Sequence, residues 1–210
     1  MMDMPSRHHS PIESPSMYFR STEIEDVVLI LPGRIMDARG YFSETFRDDL
    51  FKENVAPVDF VQENQSFSSE IGTVRGLHYQ TEPHAQGKLV RCLSGAILDV
   101  AVDLRKASPT YGRHVRRELS AENGLQLWIP PGFAHGFCTL SPSTTVFYKV
   151  TDYYSPDHDR GVQWNDPALA IKWPVSSDGA ILSDKDRSHP RLADAEIDLS
   201  GLNPNEYFVE

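Results

Sequence analysis

The sequence predicts an all-β sandwich or barrel, and two observations support this fold class. Short runs rich in β-branched and aromatic residues recur between residues 27 and 150. Turn-forming residues separate these runs at short intervals, as in sandwiches and barrels. Helix-forming segments are scarce: the best candidate spans residues 47–53, and the chain beyond residue 167 is expected to form short helical turns and loops packed on a sheet.

The predicted strands follow one another closely along this region. In chain order they span residues 27–31, 40–46, 60–66, 73–79, 88–93, 96–104, 114–119, 126–129, 134–140 and 145–150. Four of the connections have a stereochemical basis, because glycine allows a positive φ and proline fixes φ. These turns are Ser94-Gly95, Ser108-Pro109, Glu122-Asn123-Gly124 and Pro130-Pro131-Gly132.

The strand predicted at 96–104 has two different faces, since side chains alternate along a strand. One face carries Leu98, Val100, Val102 and Leu104, and the other carries Ile97, Asp99, Ala101 and Asp103. We expect the first face to form the core between two sheets. On the second face, Asp99 points either into a polar cavity or to solvent, and the pattern favours neither.

Length, charge and cysteine content exclude several classes of protein. A chain of 210 residues fits one domain, expected at residues 18–210 after a disordered leader at residues 1–17. The leader lacks an apolar signal-peptide core, and no apolar run is long enough for a membrane span.

The chain has a formal net charge of −10 at pH 7, so nucleic acid is not an expected partner. Cys92 and Cys138 are too few for a disulfide framework and indicate the cytoplasm.

Three residues in the predicted strands could together carry proton-transfer chemistry. A histidine with a carboxylate partner accepts protons near neutral pH, which makes His78 a candidate base. Lys88 could stabilise an enolate oxygen, and Tyr148 could return a proton to the opposite face of the same carbon. Together these groups would invert a carbon without a redox cofactor.

The spacing of Arg75 and His78 raises a difficulty. The two residues are three positions apart, so an ideal strand would point them to opposite faces. Gly76 lies between them and could host a β-bulge that brings both side chains to one face.

Seven segments resemble the dTDP-4-dehydrorhamnose 3,5-epimerase family and together span nearly all of residues 24–192. They read DARGYFSETF, FVQENQS, VRGLHYQ, AQGKLVRCLSGAILDVAVDLRKASPTYG, LSAENGLQLWIPPGFAHGFCTL, FYKVTDYYSP and WNDP. The resemblance implies a cupin-type jelly roll with a few short, mainly C-terminal helices. It also implies a homodimer and a site with no metal and no cofactor. The implied activity converts dTDP-4-keto-6-deoxyglucose to dTDP-4-keto-rhamnose by inverting C3 and C5.

The resemblance further implies roles for individual residues. The catalytic group would comprise His78 as base, Asp186 as its orienting carboxylate, Tyr148 as acid and Lys88 as enolate stabiliser. The substrate-binding group would comprise Arg39, Glu44, Gln62, Asn64, Arg75, His135, Tyr154, Asp159 and Lys185. Within it, Arg39 and Arg75 would bind the diphosphate and Tyr154 would stack on thymine. Asp159 stands where a glutamate is commoner in this family, so the carboxylate is kept with a shorter reach.

Three alternatives remain open. The protein could invert only C3 or only C5 of a related nucleotide-linked 4-keto-deoxysugar. It could be a metal-dependent cupin with His78, His84 and His135 as ligands, although His78-Tyr79-Gln80 lacks the usual pair of histidines one residue apart. It could also be a module that binds nucleotide sugars without turnover, although such a module would need neither acid nor base. The absence of a GxGxxG motif argues against hydride chemistry.

Overall fold

The computed structural model describes residues 16–202, and most of this region is strand or loop. The strands are β1 (Met17–Ser21), β2 (Val28–Pro32), β3 (Ile35–Asp37), β4 (Gly40–Phe42), β5 (Gln62–Ser68), β6 (Val74–Gln80), β7 (Lys88–Ser94), β8 (Ala96–Asp103), β9 (His114–Ser120), β10 (Gln126–Ile129), β11 (Phe133–Thr139), β12 (Thr144–Val150) and β13 (Asp159–Gly161). The helices are α1 (Asp48–Asn54) and α2 (Asp184–Arg187), and a 3₁₀ turn spans Leu192–Asp194.

The strands form two larger antiparallel sheets and one hairpin. One sheet has six strands in the order β1-β2-β10-β7-β12-β5, and the other has five in the order β13-β6-β11-β8-β9. The hairpin consists of β3 and β4. This architecture confirms the predicted all-β jelly roll with few short helices. Each predicted strand has a counterpart, although the prediction at 40–46 is too long; β1, β3 and β13 were not predicted.

The core between the two sheets corrects the prediction for the faces of β8. Ile97 and Ala101 of β8 belong to this core, together with Val90 of β7 and Val146 of β12. The opposite face, which we expected to form it, instead packs under the C-terminal segment. Residues in that outer layer include Val100 and Val102 of β8, Leu104 directly after it, and Ile171, Trp173 and Leu192 of the segment. Both faces are therefore buried, so alternation alone could not identify the inner one.

The outer side of the six-stranded sheet is covered in part by α1. Phe51 of α1 packs edge-on against Trp128 of β10, with ring centroids 5.2 Å apart. Phe60 completes the cluster, with its centroid 5.1 Å from that of Phe51. Each such aromatic pair stabilises a core by about 0.5–1.5 kcal/mol in addition to the stabilisation from its buried apolar area. The helix thus anchors the loop that leads into β5.

The predicted leader at residues 1–17 lies outside the described residues, except for its last two positions. Met17 is already the first residue of β1 and is paired with Pro32 of β2. Strand β1 thus begins one residue before the predicted boundary, and the division into a leader and one domain stays a prediction. Within residues 16–202, no helix is both long and apolar enough to span a membrane.

Candidate active site

Two adjoining cavities open between the sheets, with volumes of about 210 and 270 Å³. Both are lined by four of the residues singled out from the sequence: His78, Lys88, Tyr148 and Lys185. Asp186, Arg75 and His135 line the first cavity. Gln62, Asn64, Tyr154 and Asp159 line the second. Eleven of the thirteen predicted site residues thus border one continuous region.

A β-bulge in β6 brings Arg75 and His78 to the same cavity. His135 of β11 pairs with His78 of β6, and Phe137 of β11 pairs with Arg75 of β6. Two positions along β11 therefore correspond to three positions along β6, so β6 contains one extra residue. Gly76 lies in this bulge with φ of 124°, and a Cβ there would lie 2.6 Å from the Cα of Gly136. Only glycine fits so close to the neighbouring strand. The bulge predicted at Gly76 is confirmed.

His78 and Asp186 form a hydrogen-bonded pair. Nε2 of His78 lies 2.5 Å from Oδ1 of Asp186, and the Ser183 hydroxyl donates to Oδ2 over 2.8 Å. Ser183 also accepts from the backbone N–H of Asp186 as the N-cap of α2, which fixes the carboxylate in place. Asp186 is buried, and burial acts to raise its pKa. Its polar neighbours His189, His78 and Ser183 lower the pKa more strongly than burial raises it, so the pKa lies far below the usual range.

The protonation state of His78 suits a base. Burial lowers the pKa of His78 below its ordinary value of 6.5, partly opposed by Asp186 and reinforced by Lys88 and Lys185. The imidazole is therefore neutral at pH 7. Because Asp186 is ionised, Nε2 carries the proton and donates it to the carboxylate, which leaves the lone pair on Nδ1.

Lys88 is buried at the start of β7, with 8% of its surface exposed. Its Nζ donates to the carbonyl oxygen of His78 over 3.3 Å. Burial lowers the pKa of Lys88 to about 8, although Asp159 and Asp99 act to raise it. The ammonium therefore persists at neutral pH in a buried position, where its field on a nearby anion is strong.

Tyr148 approaches the cavities from the other sheet. It belongs to β12 of the six-stranded sheet, whereas His78 belongs to β6 of the five-stranded sheet. Burial raises the pKa of Tyr148, so its phenol keeps its proton at neutral pH. A group bound between the sheets would meet an unprotonated imidazole on one side and a protonated phenol on the other.

His135 pairs with Asp99 beneath the first cavity. Nε2 of His135 lies 2.7 Å from Oδ1 of Asp99, whose side chain is fully buried. Oδ2 of Asp99 has no hydrogen-bond partner among the described residues. The sequence left open whether Asp99 points into a polar cavity or to solvent, and its burial excludes solvent.

Polar contacts link the residues at the mouth of the second cavity. The hydroxyl of Tyr154 donates to Oδ2 of Asp159 over 2.9 Å, and Lys185 forms an ion pair with the same carboxylate. Gln62 donates to Asn64 over 2.8 Å and accepts from the backbone of Tyr154. The Tyr154 ring is half exposed, so its face is available for stacking.

Arg39 and Glu44 do not join the other predicted site residues in this chain. Arg39 lies at the turn between β3 and β4, with 90% of its side chain exposed and its guanidinium paired with Asp37. Glu44 lies 3.9 Å from Arg47. Neither residue lines the two cavities.

The histidines proposed for a metal-dependent cupin are each paired with a different carboxylate. His84 bonds Asp152 over 2.9 Å, while His135 bonds Asp99 and His78 bonds Asp186. Their geometry does not favour that alternative.

Sequence reasoning missed His189 and Ser183. His189 packs edge-on against His78, with ring centroids 5.4 Å apart. No sequence motif marks it. Ser183 could have been found, because a serine three residues before an acidic residue is a helix-capping signature.

Known proteins that are similar to this chain belong to a single family. The family model described as dTDP-4-dehydrorhamnose 3,5-epimerase matches residues 21–194. A dTDP-4-dehydrorhamnose 3,5-epimerase from Sinorhizobium fredii is 57% identical over 185 residues, which is 88% of this chain and 94% of that protein.

Two solved structures extend the similarity to the fold. The dTDP-4-dehydrorhamnose 3,5-epimerase of Bacillus anthracis, solved with TDP and PPi bound, is 50% identical with a TM-score of 0.80, covering 84% of this chain and 99% of that one. The dTDP-6-deoxy-D-glucose-3,5-epimerase of Legionella pneumophila, solved with dTDP-4-keto-L-rhamnose, is 40% identical with a TM-score of 0.81, covering 93% and 99%.

Proposed function

The chain belongs to the dTDP-4-dehydrorhamnose 3,5-epimerase family, and from this premise we propose that it inverts C3 and C5 of dTDP-4-keto-6-deoxyglucose. The product is dTDP-4-keto-rhamnose. The observation that carries this proposal is the presence of a neutral imidazole and a protonated phenol on facing sheets of one cavity. A further support is the activity for which the relatives that share 40–57% of its residues are named.

The reaction follows from the acidity of carbons next to a ketone. Removal of a proton from C3 or C5 leaves an electron pair that delocalises onto the C4 oxygen as an enolate. In our proposal Nδ1 of His78 accepts this proton, and Asp186 stabilises the resulting imidazolium. Lys88 donates to the enolate oxygen, an interaction worth about 3–4 kcal/mol in comparable sites.

Inversion requires the new proton to arrive on the opposite face. Tyr148 donates its phenolic proton to the carbon, and solvent later restores that proton while His78 releases its own. The sugar is neither oxidised nor reduced overall, so the proposal includes no redox cofactor. Repetition at the second carbon completes the double inversion.

The substrate-binding part of the proposal assigns the sugar and the nucleotide to the two cavities. His135, Lys185 and Asp159 contact the sugar and the adjoining phosphate, and Arg75 binds the diphosphate. Tyr154 stacks on thymine, near Gln62 and Asn64. The half-exposed ring of Tyr154 and the ion pair of Lys185 with Asp159 are compatible with these roles.

We also propose that the protein acts as a homodimer in which the hairpin of β3 and β4 serves the partner's site. Met36, Tyr41 and Phe42 of this hairpin are 69%, 55% and 65% exposed, an unusual concentration of apolar surface. Arg39 lies at its tip, away from the cavities of its own chain. A second copy would explain both the apolar surface and the position of Arg39. A cytoplasmic location remains our proposal and is supported by the two free, buried cysteines.

The alternative is inversion at C3 alone or C5 alone. The relatives compared above favour the double inversion, since each is named a 3,5-epimerase. A pure binding module is disfavoured because it would have no use for a base, an acid and a buried lysine.

The test is incubation of the protein with dTDP-4-keto-6-deoxyglucose in heavy water containing a chelator, followed by NMR of the sugar. Deuterium at both C3 and C5 with inverted configuration is expected. His78→Ala should lose the exchange yet still bind dTDP, whereas His84→Gln, a histidine outside the proposed machinery, should retain it. Label at one carbon would support the single inversion, and binding without label in the wild type would support the module.

A further inference from the structure

His189 brings a third metal-binding side chain to His78 and Asp186. Its Nε2 lies 3.6 Å from Oδ1 of Asp186, too far for a normal hydrogen bond. The side chain is 8% exposed, and Nε2 has no hydrogen-bond partner in the described part of the chain. Gly161 leaves room for this ring, since a Cβ there would lie 2.3 Å from the same nitrogen. A buried ring nitrogen without a hydrogen-bond partner thus lies 3.6 Å from an ionised carboxylate.

The three side chains are arranged as metal ligands can be. One ligand atom from each of His78, Asp186 and His189 lies within 4.8 Å of the others. Tetrahedral Zn²⁺ binds nitrogen and oxygen at about 2.0 Å, which separates ligand atoms by about 3.3 Å. The 3.6 Å between His189 and Asp186 is close to this value. The 2.5 Å between His78 and Asp186 widens when Zn²⁺ replaces their shared proton.

The surrounding charges permit a cation here. The metal would have a carboxylate as one of its own ligands. Lys185 of α2 is already paired with Asp159. Nζ of Lys88 donates to the backbone carbonyl oxygen of His78 over 3.3 Å.

We propose that His78, Asp186 and His189 form an inhibitory Zn²⁺ site in which the metal occupies Nε2 of the base. A neutral imidazole carries one proton. When Zn²⁺ binds Nε2, that proton moves through solvent to Nδ1, and no lone pair remains to accept a proton from the sugar. Zinc therefore inactivates the base by removing the free lone pair of its imidazole. The inhibitory part rests on the proposed function, whereas the metal site does not.

Direct binding tests the site independently of turnover. Zn²⁺ is titrated at pH 8 into the full-length protein by calorimetry, with wild type, His189→Phe and His158→Phe compared. His158→Phe is the matched control, because His158 also packs against another histidine, His84, but lies outside the cluster. Loss of a partner that merely supports a ligand weakens binding about 10–100-fold, so loss of the ligand in His189→Phe should weaken it about 100-fold or more.

The control should bind one Zn²⁺ as the wild type does. Unchanged affinity in His189→Phe would overturn the proposal, as would loss of binding in His158→Phe, which would indicate a site at the other histidine pair. Correct folding of each variant is checked by its thermal transition and by dTDP binding.

Turnover then tests inhibition. Zinc at saturating concentration should abolish deuterium exchange in the wild type, and a chelator should restore it fully. In His189→Phe, the zinc concentration for half inhibition, relative to that variant's own zinc-free rate, should rise about 100-fold, in line with the binding data. Zinc that binds the cluster without slowing exchange would overturn the inhibitory role. If the wild type shows no exchange at all, the proposed function fails, and the calorimetry alone decides the metal site.

Discussion

Nε2 of His78 lies 2.5 Å from Oδ1 of Asp186 although the two residues are 108 positions apart in the chain. Replacement of Asp186 by Asn should therefore remove the negative charge that stabilises the imidazolium. We expect the rate of proton exchange to fall by about 10²–10⁴-fold with little change in dTDP affinity. Asp184→Asn, on the exposed side of α2, is the control and should remain active. An active Asp186→Asn enzyme would contradict the pairing of base and carboxylate.

Tyr148→Phe should separate deprotonation from inversion. Without the phenol, His78 can still remove a proton and return it to the same face. NMR in heavy water should thus detect deuterium at the substrate carbons with retained configuration, while epimer formation falls by about 10²-fold or more. Tyr153→Phe is the control, since Tyr153 is 64% exposed on the neighbouring loop. Normal inversion in Tyr148→Phe would assign the acid to another group.

The pH dependence of kcat/KM should have two limbs. The pKa of His78 lies below 6.5, so the base stays unprotonated, and activity is retained, until the pH falls below that value. The pKa of Lys88 is about 8, so the charge that stabilises the enolate is lost as the pH rises through about 8. Lys88→Met should have a much lower rate whose profile lacks the alkaline limb. A limb near pH 8 that persists in this variant would come from a different residue.

Subunit exchange should reveal whether Arg39 serves the partner's site. Arg39→Ala and His78→Ala are each expected to be inactive as homodimers. After the two are mixed under conditions of exchange, activity should recover to about a quarter of the wild-type rate. Random exchange gives one subunit of each variant in half of the dimers, and each such mixed dimer contains one intact site out of two. No recovery in dimers shown by mass spectrometry to be mixed would mean that Arg39 does not act across the interface.

Gly76→Ala should destabilise the fold and distort the site. The new Cβ would lie 2.6 Å from the Cα of Gly136, in addition to the strain of a positive φ. Gly40→Ala is the matched control, because Gly40 also has a positive φ, 134°, but open space around it. Calorimetric unfolding should give a free energy of unfolding about 1–3 kcal/mol lower for Gly76→Ala than for Gly40→Ala. Equal stability would show that β6 and β11 adjust freely.

Much of the fold could be predicted because its signals were local, whereas Asp186 and the substrate-binding residues came from the resemblance to a known family. The bulge followed from a three-residue spacing with glycine inside it, and the long strands followed from runs of β-branched residues. The inner face of β8 could not be predicted, because the cover on its other side comes from Trp173 and Leu192, far along the chain.

The missed elements depend on partners distant in sequence. β13 is three residues long and exists through its pairing with β6. His189 approaches Asp186 only because α2 ends just before it and Gly161 leaves room for its ring. No property of the residues flanking His189 indicates this contact.

The position of α2 late in the chain affects when the protein becomes competent during synthesis. The backbone of Val74 bonds to Ile181, just ahead of α2, so docking of this segment on β6 carries Asp186 to His78. A ribosome that has delivered every strand of both sheets has still not delivered this carboxylate. The nascent sheets therefore hold the imidazole of His78 without its counter-ion, and the base that we propose is completed only after the last of the sheet-forming sequence has emerged.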